Sequence, residues 1–327
     1  MHRNHTQRLL VLFPGALGDF LCALPSILAL CEDGEVLLVA NPSALELIEP
    51  GPFRTASIHR REVADLFAAE PLRDDTRKLF GGHSIAHSWS GYGDPRFAER
   101  LAAASGGEVH IHRFRGMQPG EHASDYYARC VGRTPTPTRV WITADDEAWA
   151  AEWCRQNAPR RFVMIHPGSG APRKNWEGFP DLARQLRSRG TDVIVMLGPA
   201  ETEHPVNLWS DVSLVRNASL RKVGALLQRA SLYVGNDSGI SHLAATVGAP
   251  SLVLFGPASD AATWAPRGLR VEVITAPAPC ERCGPDRFCM HALATEQVAR
   301  AIATGLGRTY SGETVKKTSA SPSSGTE

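Results

Sequence analysis

The sequence predicts an α/β protein made of two doubly wound, parallel-sheet domains facing each other across a cleft. Three observations carry that expectation. Short apolar runs of β type alternate with amphipathic segments from Leu9 onward, and alternation at this spacing marks a parallel sheet covered on both faces. The alternation breaks at Thr134-Pro135-Thr136-Pro137-Thr138, where prolines and pre-proline residues favour an extended connector. The length of 327 residues accommodates two ordinary cores. The expected division is an N-terminal domain over 1–138, a C-terminal domain over 139–307 and a Ser/Thr/Lys/Gly-rich tail over 308–327, whose composition lacks a core-forming pattern and reads as disordered.

In the first domain the run Leu9 to Phe13 reads as a strand leading into a helix from about Asp19 to Leu30. Val36 to Ala40 leads into a helix near Ser43 to Ile48, and Ser57-Ile58-His59 precedes the helical Arg61 to Phe67. Ile85 to Trp89 precedes Pro95 to Ala104, and Val109 to Phe114 precedes Ala123 to Val131. The second series begins with a helix from Asp145 to Asn157. It continues with strands Phe162 to Ile165, Val193 to Leu197, Leu232 to Val234 and Ser251 to Phe255, separated by helices Phe179 to Ser188, Val223 to Arg229 and Ser241 to Val247. A last helix covers about Thr295 to Leu306.

Charge narrows the function. Lys plus Arg number 35 against 34 Asp plus Glu, so the broad positive field of a sequence-independent nucleic-acid binder is missing and DNA and RNA are not expected partners. Seven scattered cysteines, with Cys22, Cys31, Cys130 and Cys154 in helical segments, suit a reducing compartment without a disulfide framework. Pro14, Gly15 and Asp19 interrupt the first apolar stretch too early for a signal peptide or membrane span. The expectation is a soluble, cytoplasmic protein, with room for peripheral membrane contact through a local patch.

Two glycine-bearing strand-to-helix junctions carry most of the chemical information: His166-Pro167-Gly168-Ser169-Gly170 with Lys174, and Gly235-Asn236-Asp237-Ser238-Gly239-Ile240-Ser241-His242. Glycines let backbone approach a ligand, and a helix start offers free N–H groups and a positive dipole end to phosphate. A nucleotide diphosphate is the ligand such a cradle suits. Lys174, beside Trp176 as a loop anchor, is the better phosphate candidate than Arg173. Glu201, in Gly198-Pro199-Ala200-Glu201, either accepts ribose hydroxyls at a strand end or simply favours a helix start. His242 is either a ligand contact or a satisfied structural histidine. Asp19, after Pro14-Gly15-Ala16-Leu17-Gly18, reads as a helix cap or as a general base kept ionised by helix N–H groups. Cys280, Cys283 and Cys289 with His291 have irregular spacing for zinc, and a thiol-rich structural loop is preferred over a metal site.

The order of these pieces resembles the heptosyltransferase family, glycosyltransferase family 9. The resemblance rests on Gly15-Ala16-Leu17-Gly18-Asp19 with Leu24-Pro25 and on His166-Pro167-Gly168-Ser169-Gly170 with Lys174 and Trp176. It rests further on Gly198-Pro199-Ala200-Glu201, Asn236-Asp237-Ser238-Gly239 with His242-Leu243-Ala244-Ala245, and Phe255-Gly256-Pro257. It implies a GT-B fold and an inverting, metal-independent sugar transfer from an ADP-linked donor, typically ADP-heptose, to a lipopolysaccharide-core or other saccharide or glycolipid acceptor, with no resident cofactor. Asp19 then matches the acceptor base and Lys174 the lysine that neutralises the diphosphate. Glu201 matches the ribose carboxylate, and Ser169, Gly170, Asp237, Ser238, Gly239 and His242 the donor loops. Members often carry a basic residue shortly before the Gly-Asp pair, where this chain has Phe13-Pro14. Arg60, Arg61, Trp89 and Tyr92, with Arg113, are the candidates for the acceptor. The rival readings are a non-catalytic nucleotide-sugar-binding protein and a sugar-nucleotide epimerase or hydrolase using a similar cleft.

Overall fold

The computed structural model describes residues 7–51, 53–198, 201, 206–209, 212–277 and 290–311. The first half of the chain forms a sheet of β1 (Gln7–Leu12), β2 (Gly34–Ala40), β3 (Phe53–Ser57), β4 (Ile85–Ser88) and β5 (Glu108–Ile111). Its spatial order is β3-β2-β1-β4-β5, every pair parallel. Between the strands run α1 (Leu17–Leu30), α2 (Pro42–Leu45), α3 (Arg61–Asp65), α4 (Asp74–Phe80) and α5 (Pro95–Ser105), with α6 (Ala123–Val131) after β5.

The second half opens with α7 (Ala144–Asn157), whose start is fixed by a capping box between Thr143 and Asp146. Its sheet comprises β6 (Phe162–His166), β7 (Asp192–Leu197), β8 (Ser213–Arg216), β9 (Leu232–Asn236), β10 (Ser251–Phe255) and β11 (Val271–Thr275). The order β11-β10-β9-β6-β7-β8 is again wholly parallel. Helices α8 (Phe179–Ser188), α9 (Leu220–Arg229), α10 (Gly239–Thr246), α11 (Ala261–Trp264) and α12 (Thr295–Ser311) complete it. These are the GT-B-type paired Rossmann-like sheets that the sequence predicts.

Apolar runs became strands because both sheet faces are covered: β6, β7, β9 and β10 are buried along their whole length. The outer face of the first sheet packs on α3, α4 and α5 through Leu10, Leu12, Val63, Phe80, Phe97 and Leu101. The outer face of the second packs on α8 and α12 through Val163, Ile165, Phe179, Leu182, Val298 and Ile302. Between the sheets a single core joins α1 and α6 to α9 and α10, with Phe20, Leu24, Ile27 and Tyr127 from one half and Leu226, Ile240, Leu243 and Tyr233 from the other. Each such fully buried large side chain contributes about 1.5–3 kcal/mol, so the halves are held together by more than their connector.

Several elements differ from expectation. Helix α1 begins at Leu17 with Ala16 as its N-cap and no side-chain cap, so Asp19 lies inside the first turn and is not the cap. Helix α4, the edge strands β8 and β11 and the short α11 are additional to the sequence reading; β8 contributes only Leu214 and Val215 as apolar residues, too few to show a period. Helix α12 continues through Ser311, four residues into the segment read as tail. The rest of that tail and Cys280, Cys283 and Cys289 lie outside the described residues.

Candidate functional site

In open parallel sheets ligands bind beyond the carboxyl ends of the strands, where the strand order reverses. Those points lie between β1 and β4 in the first sheet and between β6 and β9 in the second. The motifs after β1, β6 and β9 therefore sit at the positions the topology reserves for a ligand. Helices α1 and α10, each starting at a switch point, pack together. Their contact is glycine to glycine: a Cβ on Gly239 would stand 2.8 Å from the Cβ of Leu17 and 3.1 Å from the Gly18 backbone nitrogen. Only glycine permits that approach, and it brings the two halves of the site together.

On the second sheet's side, Lys174 ends a 3-10 turn (Pro172–Lys174), and its Nζ stands 2.5 Å from Asp237 Oδ2 at the end of β9. Asn236 ties the same two segments. Its Nδ2 donates to the Pro167 carbonyl at 2.7 Å, and its Oδ1 accepts from the Trp176 backbone N–H at 3.1 Å. Trp176 is buried and donates Nε1–H to the Leu293 carbonyl at 2.9 Å, which anchors the loop to the core. Ser169 turns its hydroxyl inward, to the Ala171 carbonyl and Asn175 Oδ1 at 2.7 and 2.6 Å. Gly170 is exposed, with open space where a Cβ would stand. Ser238 caps α10, accepting from the Ser241 N–H at the start of that eight-residue helix.

Glu201 is buried at the end of β7, its Oε2 accepting from the Gly198 N–H at 2.7 Å. A Cβ on Gly168 would come within 1.9 Å of Glu201 Oε1. Gly168 is thus needed for the β6 turn to pass the carboxylate, and two motifs read separately in the sequence prove to touch.

On the first sheet's side, the Phe13–Gly15 turn is clamped by Asn41, whose Nδ2 donates to the Pro14 and Gly15 carbonyls at 3.2 and 2.7 Å. Asp19 is buried, 7 % exposed, and faces Arg115 at 3.4 Å. Burial raises its pKa above the usual carboxylate range; the guanidinium of Arg115 and the charge of Lys174 pull in the opposite direction without cancelling it. Asp19 thus lies within the electrostatic reach of Lys174, across the junction of the halves. Arg115 follows β5, stacks over Phe114 and reaches Trp264 of α11, its guanidinium carbon 5.2 Å from that ring.

Arg115 is the residue that sequence reading missed. Before the Gly-Asp pair, Phe13 is fully buried among Phe20, Trp89, Phe114 and Tyr127. A cation at that position would lie in an apolar cluster, and Arg115 supplies one from another loop.

His242, one turn into α10, is buried and turns its Cδ2–Nε2 edge to Gly18, while its Nδ1 lies 3.6 Å from Cys22 Sγ on α1. The acceptor candidates fare differently. Trp89 is 2 % exposed, its ring edge-on to Phe13 and Tyr127, so packing rather than sugar stacking occupies it. Its burial follows from strand phase, since it continues the face of β4 that carries buried His87. Arg60 is paired with Glu62 at 2.7 Å and Arg61 with Asp75 at 2.5 Å. Tyr92 is 61 % exposed. Among the described residues no group of three or more His, Cys, Asp or Glu side chains is arranged to hold a metal ion, and no helix is long and apolar enough to cross a membrane.

Comparison with known proteins places this geometry. Residues 130–288 match glycosyltransferase family 9 (heptosyltransferase). Lipopolysaccharide heptosyltransferase 3 of Escherichia coli is 30 % identical over 117 residues, which cover 33 % of this chain and 34 % of the relative. The chain therefore spans about a third of the length of the curated relatives it matches. The crystal structure of the glycosyl transferase family 9 from Veillonella parvula DSM 2008 superposes with a TM-score of 0.73 at 18 % identity, covering 92 % of this chain and 97 % of that one. E. coli heptosyltransferase WaaC with ADP-2-deoxy-2-fluoro heptose gives 0.62 at 19 %, covering 91 % and 99 %; at such identities the likeness is one of fold. Residues 130–288 thus match glycosyltransferase family 9 (heptosyltransferase), and the fold is shared with a solved structure over nine-tenths of the chain's length.

Proposed function

We propose that the protein is an inverting, metal-independent glycosyltransferase that moves a heptose or related sugar from an ADP-linked donor to a saccharide or glycolipid acceptor of the lipopolysaccharide-core type. The observation that carries this reading is the meeting of Asp19, Lys174, Asp237 and the start of α10 at two facing switch points. Residues 139–307 are the donor-binding domain and residues 1–138 the acceptor-binding domain. The acceptor is met at the inner face of the cytoplasmic membrane. The support for an ADP-sugar is the family match together with the fold likeness to WaaC, whose structure holds ADP-2-deoxy-2-fluoro heptose.

The chemistry follows from the charges. An acceptor hydroxyl attacks the anomeric carbon from the face opposite the departing ADP, and Asp19 takes its proton. A carboxylate with a raised pKa is a stronger base than a free one and works closer to neutral pH. The diphosphate gathers negative charge as it leaves, and Lys174 with the N–H groups of Ser238 and Gly239 stabilises it from fixed positions. Glu201 takes the ribose hydroxyls. Ser169 and Gly170 shape the loop, and His242 stands at its inner edge.

The test is transfer itself. Purified protein is given ADP-heptose with and without a lipopolysaccharide-core acceptor, in Mg²⁺ or in EDTA. The expected result is ADP release that requires the acceptor and persists in EDTA. Release without acceptor would establish a hydrolase, and consumption without ADP release an epimerase. Binding of ADP without turnover of any donor would leave a nucleotide-sugar-binding protein.

A further inference from the structure

The sequence reading leaves Cys22 unused, and the structure puts it in contact with a residue of the other half. It lies on α1, 3 % exposed, with Sγ 3.6 Å from Nδ1 of His242 on α10. The opposite edge of the same imidazole is pressed against Gly18: a Cβ there would stand 3.2 Å from His242 Cδ2 and 3.6 Å from Nε2. Gly18 immediately precedes Asp19. His242 Nε2 forms no hydrogen bond among the described residues, so one nitrogen of the ring is engaged by sulfur and the other is left at the site.

We propose that Cys22 is a positioning residue: its thiol donates to Nδ1 of His242 across the junction of the two halves, fixing the ring orientation and the tautomer that carries its proton on Nε2. The inference rests on the donor-site reading and adds to it what sets the state of His242. A neutral imidazole has one donor and one acceptor nitrogen, and a partner that donates to one of them assigns the proton to the other. Burial agrees with that assignment. It pushes the thiol up to about 12, so the sulfur keeps its proton, and holds the imidazole down at about 4, so the ring is neutral. Asp19, Asp237 and Arg267 act on the thiol, and Asp237, His122 and Lys174 on the ring. The hydroxyl of Ser124 on α6 also acts on the thiol, as a donor to sulfur that lowers its pKa, and competes with His242 for it.

The consequence is an uncharged N–H donor held against Gly18, the residue before Asp19. Unlike a protonated histidine, it contributes to binding an anionic diphosphate oxygen without drawing Asp19 into an ion pair. It also makes the donor contact depend on the packing of α1 against α10, so the contact is complete only when the halves are joined.

Infrared and NMR readouts test this in the full chain. The Cys22 S–H stretching band, assigned by its loss in Cys22→Ala, is expected to shift to higher frequency in His242→Phe and to stay in place in Ser124→Ala. The ring nitrogens of ¹⁵N-labelled His242 are expected to show a single Nε2–H tautomer in the wild type and an averaged ring in Cys22→Ala. ADP affinity in Cys22→Ala should fall about fivefold, the loss of about one neutral hydrogen bond. A band that moves in Ser124→Ala and not in His242→Phe would overturn the proposal, as would an unchanged His242 tautomer and ADP affinity in a folded Cys22→Ala. A protein that shows the expected band and tautomer but turns over no ADP-sugar would instead refute the function reading and leave the Cys22–His242 bond standing.

Discussion

On one side of the cleft Lys174 and Asp237 stand 2.5 Å apart, with Asn236 binding the two loops and Trp176 pinning one of them to the core. On the other, Asp19 and Arg115 are 3.4 Å apart, and the arginine side chain, 61 % exposed, rests on Trp264 from the opposite half. The Lys174 side is built from loops of one sheet that satisfy each other. The Asp19 side is completed by a side chain whose support comes from across the junction. Rigid placement suits a diphosphate of constant shape, and a half-exposed guanidinium suits an anionic partner that enters from solvent.

The largest effect should come from Asp19, the one group assigned to the proton. Asp19→Asn keeps the shape and removes the base, so turnover should fall by about 10²–10⁴-fold while ADP affinity by calorimetry stays within about twofold of wild type. Unaltered turnover would show that the buried carboxylate is structural and would place both working charges on the donor side.

Lys174→Ala should weaken ADP binding by tenfold or more, because a charge-assisted contact is lost. It also leaves Asp237, 7 % exposed, without its cation, which should lower stability by about 1–3 kcal/mol. The double variant Lys174→Ala/Asp237→Asn separates the two roles: denaturant unfolding should recover, and ADP affinity should not. If affinity recovers as well, Lys174 serves only to neutralise Asp237.

Arg115→Ala probes the looser side. Arg115 is the largest influence opposing the burial-raised pKa of Asp19, so its loss should move the acidic limb of the kcat/KM profile to higher pH. Trp264→Leu, which removes only the ring beneath the guanidinium, should move it in the same direction by less. A limb that moves to lower pH or stays fixed would separate Arg115 from the ionisation of Asp19.

The same contrast explains what was legible. Gly168, Glu201 and Asp237 lie within four residues of a strand end, and Lys174 and His242 within eight; their strands are apolar runs that announce themselves. Arg115 lies 96 residues from Asp19 on a loop with no local pattern, and only the parallel pairing of β1, β4 and β5 brings them together. Trp89 looked available because its neighbours are Ser88, Ser90 and Gly91, yet strand phase turned it inward. The start of α1 at Leu17 was obscured because Ala16 offers no capping side chain. The contact of Gly18 with Gly239 and the Cys22–His242 pair cross between the halves, where single-chain periodicity carries no information.

A further expected effect concerns histidines in both regions. His87 and His112 form a stacked pair on the first sheet, Nδ1 to Nε2 at 3.1 Å, with His110 stacked on His87. Burial first, then the neighbouring histidines, pulls His87 down to about 3 and His112 to about 4; burial alone dominates for His242, also at about 4. Each stays neutral in the folded protein while its unfolded counterpart, near 6.5, binds a proton. Below pH 6.5 the unfolded state therefore holds more protons, and stability falls with pH by up to about 1.4 kcal/mol per unit per histidine until the folded pKa is reached. Above 6.5 these groups contribute no slope. Denaturant unfolding at pH 7.5, 6 and 5 should show that loss, and His87→Phe, which keeps the stack without the proton site, should flatten it. His242→Phe should flatten it by a similar amount if the two halves unfold as one unit through their shared core. If each variant instead alters only one of two separate transitions, the core between α1 and α10 does not couple the halves, and the two sides of the cleft are independent in stability as well as in how they hold their charge.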